Sequence, residues 1–363
     1  MRIAMVAPVP PPYGGIGNWV LMLDEYVKNR DDVSFVHINT SPVSRGLDGR
    51  SLWERVVTQG FIMLKKRGEL KKLLRSEHVD IVHITTSGQL AAVRDIMMLK
   101  VARHAHVRSI YHIRFGRVPE IAAANTHEWE LLKRALSLAD QVIAIDTKTE
   151  KAVRKYAPDV KVCYTPNPFD TGKVKAIPTH DEKCTKEIVF IGWVVKTKGV
   201  GELLEAWSGL RSAHPDWTLR IVGPYAKEYR DELNGKFTGD QTVFDGEKPH
   251  DEAMEILARA DIFILPSYTE GFPNVVLEAM ALKKPIIATA LGAIPDILEG
   301  CGVVIPPKDT QAVRVALEEM MNDEACRSEL GQKAGEVLKS RYTLETVFEQ
   351  YKAIWSGASG KAY

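Results

Sequence analysis

The sequence is poor in cysteine. Its four, Cys163, Cys184, Cys301 and Cys326, never stand as C-x-x-C. That spacing excludes a zinc ribbon or a redox dithiol and reads as a protein of a reducing compartment. No apolar run reaches the ~18 residues of a membrane span, so any membrane contact is expected to be peripheral. Met1 leads at once into the apolar RIAMVA, and no targeting segment is expected. There are no solenoid-period repeats and no low-complexity tracts. The net charge is only +1, which gives no ground for a nucleic-acid partner. That near-neutrality conceals an asymmetry: residues 1–165 hold 25 Lys+Arg against 17 Asp+Glu, and the remainder 23 against 30. A basic first half suits an anionic partner or an anionic membrane surface.

What is present is alternation. A chain of 363 residues exceeds what one core usually supports, so two domains are expected. Short β-branched runs (RIAMVA, DIVHI, VRSIYHI, QVIAID, EIVFIG, WTLRIVG) alternate with helical stretches, which predicts parallel sheets with right-handed crossovers. Pro166 to Lys186 is rich in Pro and charge without apolar periodicity and reads as a linker between domains 1–165 and 187–342. After the first strand, Gly14, Gly15 and Gly17 precede a helix; glycines there permit positive φ and close approach to a phosphate or sugar. This is not the dinucleotide fingerprint, because G-G-x-G has the wrong spacing and no acid ends the second strand. His112 and Arg114 fall at or just past the end of the VRSIYHI strand, where ligands bind in open α/β sheets. Arg114 offers a cation for phosphate or an acidic acceptor. Arg50 to Ser76 reads as a helix carrying Lys65, Lys66, Arg67, Lys71, Lys72 and Arg75, a basic amphipathic stretch able to lie on anionic lipid.

The most informative stretch is Ala260 to Thr289: strand, polar loop with Gly271, helix from about Asn274, then a second strand after Pro285. Phe272 or Asn274 is expected to cap that helix, with Pro273 in its first turn. Glu270 stands in the loop and Glu278 about one turn into the helix. A helix N-terminus favours an anion, and carboxylates on either side accept hydrogen bonds from hydroxyls. That combination suits a nucleotide-sugar.

PSYTEGFPNVVLEAMA resembles the E-x7-E motif of the retaining GT-B glycosyltransferases, family 4. The resemblance implies an α/β chain of GT-B fold, two Rossmann-like domains with a cleft between them, the first for acceptor and the second for donor. It also implies that helix 343–355 packs back on the first domain. Glu270 would contact the transferred sugar and Glu278 the ribose, and His112 would point at the sugar. The family's G-R-x-x-x-x-K-G diphosphate grip keeps Lys198 and Gly199, but Trp193 replaces the Arg; Lys196 or Arg114 is expected to supply the missing charge. Gly15, Gly17, Gly271, Phe272, Asn274 and Val275 would complete the donor site, and Tyr13 with Arg114 the acceptor side. Asp245-Gly246 would lie against the base. Ala293 and Asp296 depart mildly from the family's Gly-Gly-x-x-Glu loop. No D-x-D triplet occurs, so no metal or other cofactor is expected. The implied activity is metal-independent transfer, with retention, from a UDP- or GDP-linked sugar to a glycan or lipid-linked acceptor in surface-polysaccharide synthesis, in the cytoplasm or peripherally at the inner face of the plasma membrane. The rivals are a GT-B nucleotide-sugar 2-epimerase, for which the donor alone suffices, and a low-activity donor-binding partner subunit, suggested by Trp193.

Overall fold

The structure, a computed structural model, describes residues 1–11, 14–41, 52–175, 185–237, 239 and 241–357, with the side chains of 52–59, 173 and 175 excepted. Tyr13, the start of the basic helix at Arg50 and Ser51, and linker residues 176–184 lie outside the described residues. The chain divides into two compact units, Met1–Asn167 with Phe348–Tyr363, and Pro168–Val347.

The first unit holds six strands: β1 (Arg2–Ala7), β2 (Ser34–Asn39), β3 (Ile81–Thr86), β4 (Arg108–Ile113), β5 (Gln141–Ala144) and β6 (Val162–Tyr164). They pair in parallel in the order β2-β1-β3-β4-β5-β6. β3 is buried at every position, as a parallel strand covered on both faces must be. The second unit repeats the plan with β7 (Glu187–Ile191), β8 (Thr218–Val222), β9 (Thr242–Gly246), β10 (Ile262–Leu265), β11 (Ile286–Thr289) and β12 (Val303–Ile305). Its order is β12-β11-β10-β7-β8-β9, again all parallel. Counted from β7 this is the doubly wound order whose direction reverses between the first and fourth strands, and ligands bind at such a reversal, beyond the strands' carboxyl ends.

Several sequence expectations shift. The Gly14-Gly15-x-Gly17 segment is not a positive-φ loop. Gly14 is extended and the helix already begins at Gly15, running to Val27. Gly17 is required by packing, since a Cβ there would lie 2.9 Å from the Pro10 ring. The segment after Pro166 is not mere linker: Phe169 and Val174 are buried in the second unit's core. Phe169 N–H also donates to the Tyr342 carbonyl at 2.7 Å, and Leu344 N–H to the Phe169 carbonyl at 2.9 Å. The terminal helix runs Leu344–Ser356, and from Phe348 onward it belongs to the first unit. β9 extends through Asp245 and Gly246 with a one-residue shift in register: Phe244 pairs with Ile221 and Gly246 with Val222, and the extra residue, Asp245, bonds Arg220 of β8 at 2.8 Å.

Candidate active site

In the second unit the loops after β7 and β10, the two strands at the reversal, meet. After β7 the chain forms a short 3-10 turn, Lys196–Lys198, closed by Gly199 in the left-handed region at φ 68°. Only glycine fits there: a Cβ would stand 2.0 Å from the Pro266 carbonyl oxygen. This approach seats the first loop on the second, and Tyr268 N–H donates to the Thr197 carbonyl at 2.8 Å. The result is that Lys198 Nζ donates to Glu270 Oε1 at 2.6 Å. The side chains are 26% and 10% exposed, so this pair is far more shielded than an ordinary surface bridge. Lys196 goes elsewhere. Its ammonium lies 3.9 Å from Glu232 with the side chain 76% exposed, and over the Tyr229 ring.

The loop carrying Glu270 and Gly271 is clamped by the one after β11. Ala293 N–H donates to the Gly271 carbonyl at 2.8 Å. Gly292, at φ 48°, leaves no room for a Cβ, which would sit 2.2 Å from that same oxygen. The following helix spans Asn274–Ala281 with Pro273 at its N-cap and no side-chain cap. Neither Phe272 nor Asn274 caps it, because the cap position falls on Pro273, which has no side-chain acceptor. Phe272 instead packs on the core and reaches the Tyr342 ring. Glu278, one turn in, lies 3.0 Å from the His250 ring nitrogen. His250 opens the helix His250–Arg259. Sequence reasoning missed it, since nothing in its spacing links it to Glu278. Trp193 stands 66% exposed beside this loop system, while Val194 beside it is buried and bridges to Tyr225.

In the first unit His112 is the penultimate residue of β4 and fully buried. It packs edge-on against Trp19, centroids 5.5 Å apart, and lies 3.2 Å from His83. Arg114 is half-buried, its guanidinium carbon 4.3 Å from the Trp19 ring centroid. Burial pulls its pKa down to about 10, against a smaller raising effect of Tyr351. Burial, reinforced by the Arg114 charge, pushes His83 down to about 3 and His112 well below the usual histidine range. Gly15 and Gly17 lie in the first turn of the helix that carries Trp19.

Two parallel six-stranded units, one with a lysine–carboxylate pair at its strand reversal, define the class of α/β proteins to which the GT-B glycosyltransferases belong. Residues 13–173 match the model of Glycosyltransferase Family 4, and residues 175–337 that of Glycosyl transferases group 1. The chain belongs to these GT-B glycosyltransferases. It is 23% identical over 333 residues to TuaC of Bacillus subtilis, named as a teichuronic acid biosynthesis glycosyltransferase, covering 86% of this chain and 79% of that one. To the D-inositol 3-phosphate glycosyltransferase of Corynebacterium diphtheriae it is 26% identical over 306 residues, 76% of this chain and 70% of the other. Among solved structures it resembles Anabaena HepE in complex with UDP, with a TM-score of 0.74 at 16% identity over 98% and 100% of the two chains. Among the described residues no helix is long and apolar enough to cross a membrane.

Proposed function

We propose that the chain is a retaining, metal-independent glycosyltransferase. It moves a sugar from a UDP- or GDP-linked donor to a glycan or lipid-linked acceptor in surface-polysaccharide synthesis. The observation that carries this reading is the Lys198–Glu270 pair at 2.6 Å, at the strand reversal. Lys198 and the backbone N–H groups that open helix Asn274–Ala281 meet the diphosphate, where negative charge grows as the sugar departs. Glu278, braced by His250, accepts hydrogen bonds from the ribose. Glu270 and His112 orient the transferred sugar, and a leaving-phosphate oxygen takes the acceptor's proton on the same face. Gly15, Gly17, Gly271, Phe272, Asn274 and Val275 complete the donor site; Arg114 and Tyr13 serve the acceptor. UDP in complex with HepE and the teichuronic acid assignment of TuaC favour a uridine donor and a surface-polymer product.

The test is a calorimetric panel of nucleotide-sugars in EDTA on wild type and Glu278→Ala, followed by NMR of the product's anomeric centre. One donor bound tightly, weakened by the substitution and transferred with its anomeric configuration kept, is expected. An inverted product or a strict metal requirement refutes the mechanism; an epimerised donor formed without acceptor returns the epimerase. The exposed Trp193 favours a second reading, a donor-binding subunit without turnover, and binding with no product from any acceptor establishes it. Membrane docking at the inner leaflet is proposed through the basic helix Leu52–Ser76. There Phe61 and Leu64 are 71% and 56% exposed, alongside exposed Lys65, Arg67, Lys71, Lys72 and Arg75. Equal binding of wild type and a Lys71→Gln/Lys72→Gln variant to anionic liposomes would remove it.

A further inference from the structure

One buried set in the first unit is ordered by more than packing. His83 on β3 and His112 on β4 stand on one face of the sheet: His83 is level with Ile110, two residues before His112. Both are fully buried, and His83 Nε2 lies 3.2 Å from His112 Nδ1. Trp355, from helix Leu344–Ser356, donates its Nε1–H to His83 Nδ1 at 3.0 Å.

An indole nitrogen can only donate, so His83 Nδ1 carries no proton. Burial and the nearby Arg114 charge keep both rings neutral. The single proton of His83 therefore sits on Nε2 and is donated to His112 Nδ1. His112 in turn must carry its own proton on Nε2, which has no partner among the described residues. In the same cluster Trp19 and Arg114 both turn toward the Tyr351 hydroxyl, so His112 Nε2–H is the donor there that faces no acceptor among the described residues. A buried donor without an acceptor selects an oxygen that accepts, and a ring whose free nitrogen already bears a proton cannot serve as a base.

We propose that Trp355 and His83 are positioning residues that lock His112 in its Nε2–H tautomer, making it a fixed hydrogen-bond donor to an oxygen of the transferred sugar. The sugar half of this statement rests on the reading of His112 given under the proposed function; the tautomer half does not. The relay also gives the returning terminal helix a task beyond packing, because its indole sets the proton position two side chains away.

The test uses the full chain labelled with 15N-histidine. Long-range proton–nitrogen spectra at neutral pH should show both rings as pure Nε2–H, with the His112 signal shifting on addition of UDP-glucose as first probe. Trp355→Phe keeps an aromatic ring and removes the donor, so His83 and His112 should become tautomer mixtures. Turnover of the donor found by the panel should then fall about tenfold, the weight of one hydrogen bond, with KM changed less than about twofold. His83→Phe, which leaves His112 Nδ1 without its donor, should do the same, and melting curves show whether each variant is folded. A wild-type His112 in the Nδ1–H form, or tautomers unmoved by folded Trp355→Phe, overturns the relay. Intact tautomers with a His112 signal indifferent to every bound nucleotide-sugar overturn the sugar contact and leave the relay standing.

Discussion

Removing the ammonium of Lys198 separates a structural role from a functional one. At 2.6 Å from Glu270, the gross attraction is about 6 kcal/mol at an effective dielectric of ~20. Most of this is cancelled by desolvation of two groups that are 26% and 10% exposed. What survives on deletion is the cost of stranding the more buried partner, about 1–3 kcal/mol. Lys198→Met should therefore lower the urea-unfolding free energy by that amount, and Glu270→Gln in the same background should restore part of it, since an amide is cheaper to bury alone than a carboxylate. Donor binding should respond differently. A charge-assisted bond to phosphate contributes about 1.5–3 kcal/mol, so the dissociation constant for UDP or GDP should rise roughly 10- to 150-fold in both variants. The measurements are urea titration and calorimetry on the single and double variants. A single variant that binds the nucleoside diphosphate like wild type would refute the diphosphate role. A double-mutant cycle with no coupling would refute the energetic importance of the pair.

Gly292→Ala should cost about 2–5 kcal/mol, the sum of a left-handed backbone penalty and overpacking, because its Cβ would stand 2.2 Å from the Gly271 carbonyl; an unmoved urea midpoint contradicts the geometry. The buried histidines make the protein acid-sensitive above the carboxylate range. Both folded pKa values lie below the unfolded one, with burial as the main cause, so the unfolded chain takes up protons first. This stability is complete above pH ~6.5 and is lost on acidification. Between pH 7 and 5 each buried ring should cost about 2 kcal/mol, and His83→Phe should remove about that much of the loss. An equally steep pH dependence in the folded variant would show that His83 is not neutral in the native state.

The elements that build the second unit's candidate site were largely legible because they are local. Strand, loop and helix from Ala260 to Thr289 follow from runs and breakers, and Lys198-Gly199 stands one loop beyond another readable strand. What was not legible depended on long-range pairing. His250 reaches Glu278 across 28 residues, and Trp355 reaches His83 across 272; neither periodicity nor spacing carries such partners. The glycine segment was misread because glycine's freedom includes the ordinary helical region, and here it is the Pro10 ring that excludes a side chain. The segment from Pro166 looked like linker because Phe169 and Val174 are isolated apolar residues, and their burial is decided by where the second core closes.

The replacement of the expected arginine by Trp193 acquires a sharper meaning from the structure. Lys196, the nearest substitute in sequence, already faces Glu232 and is 76% exposed, so it does not stand in for a guanidinium fork. The Lys198 ammonium has three N–H groups, and its recorded bond to Glu270 uses one. On the proposed reading it would hold the carboxylate assigned to the sugar and still offer two donors to phosphate oxygens. With Trp193 in the arginine's place, that reading has one residue couple the leaving group to the sugar's position. For that reason Lys198→Arg is not conservative here. A planar fork that pairs bidentately with Glu270 would tighten the ion pair while turning its remaining donors away from the phosphate. Turnover should fall even as thermal stability holds or rises, and a Lys198→Arg enzyme with wild-type turnover would show that the two tasks are carried by separate groups.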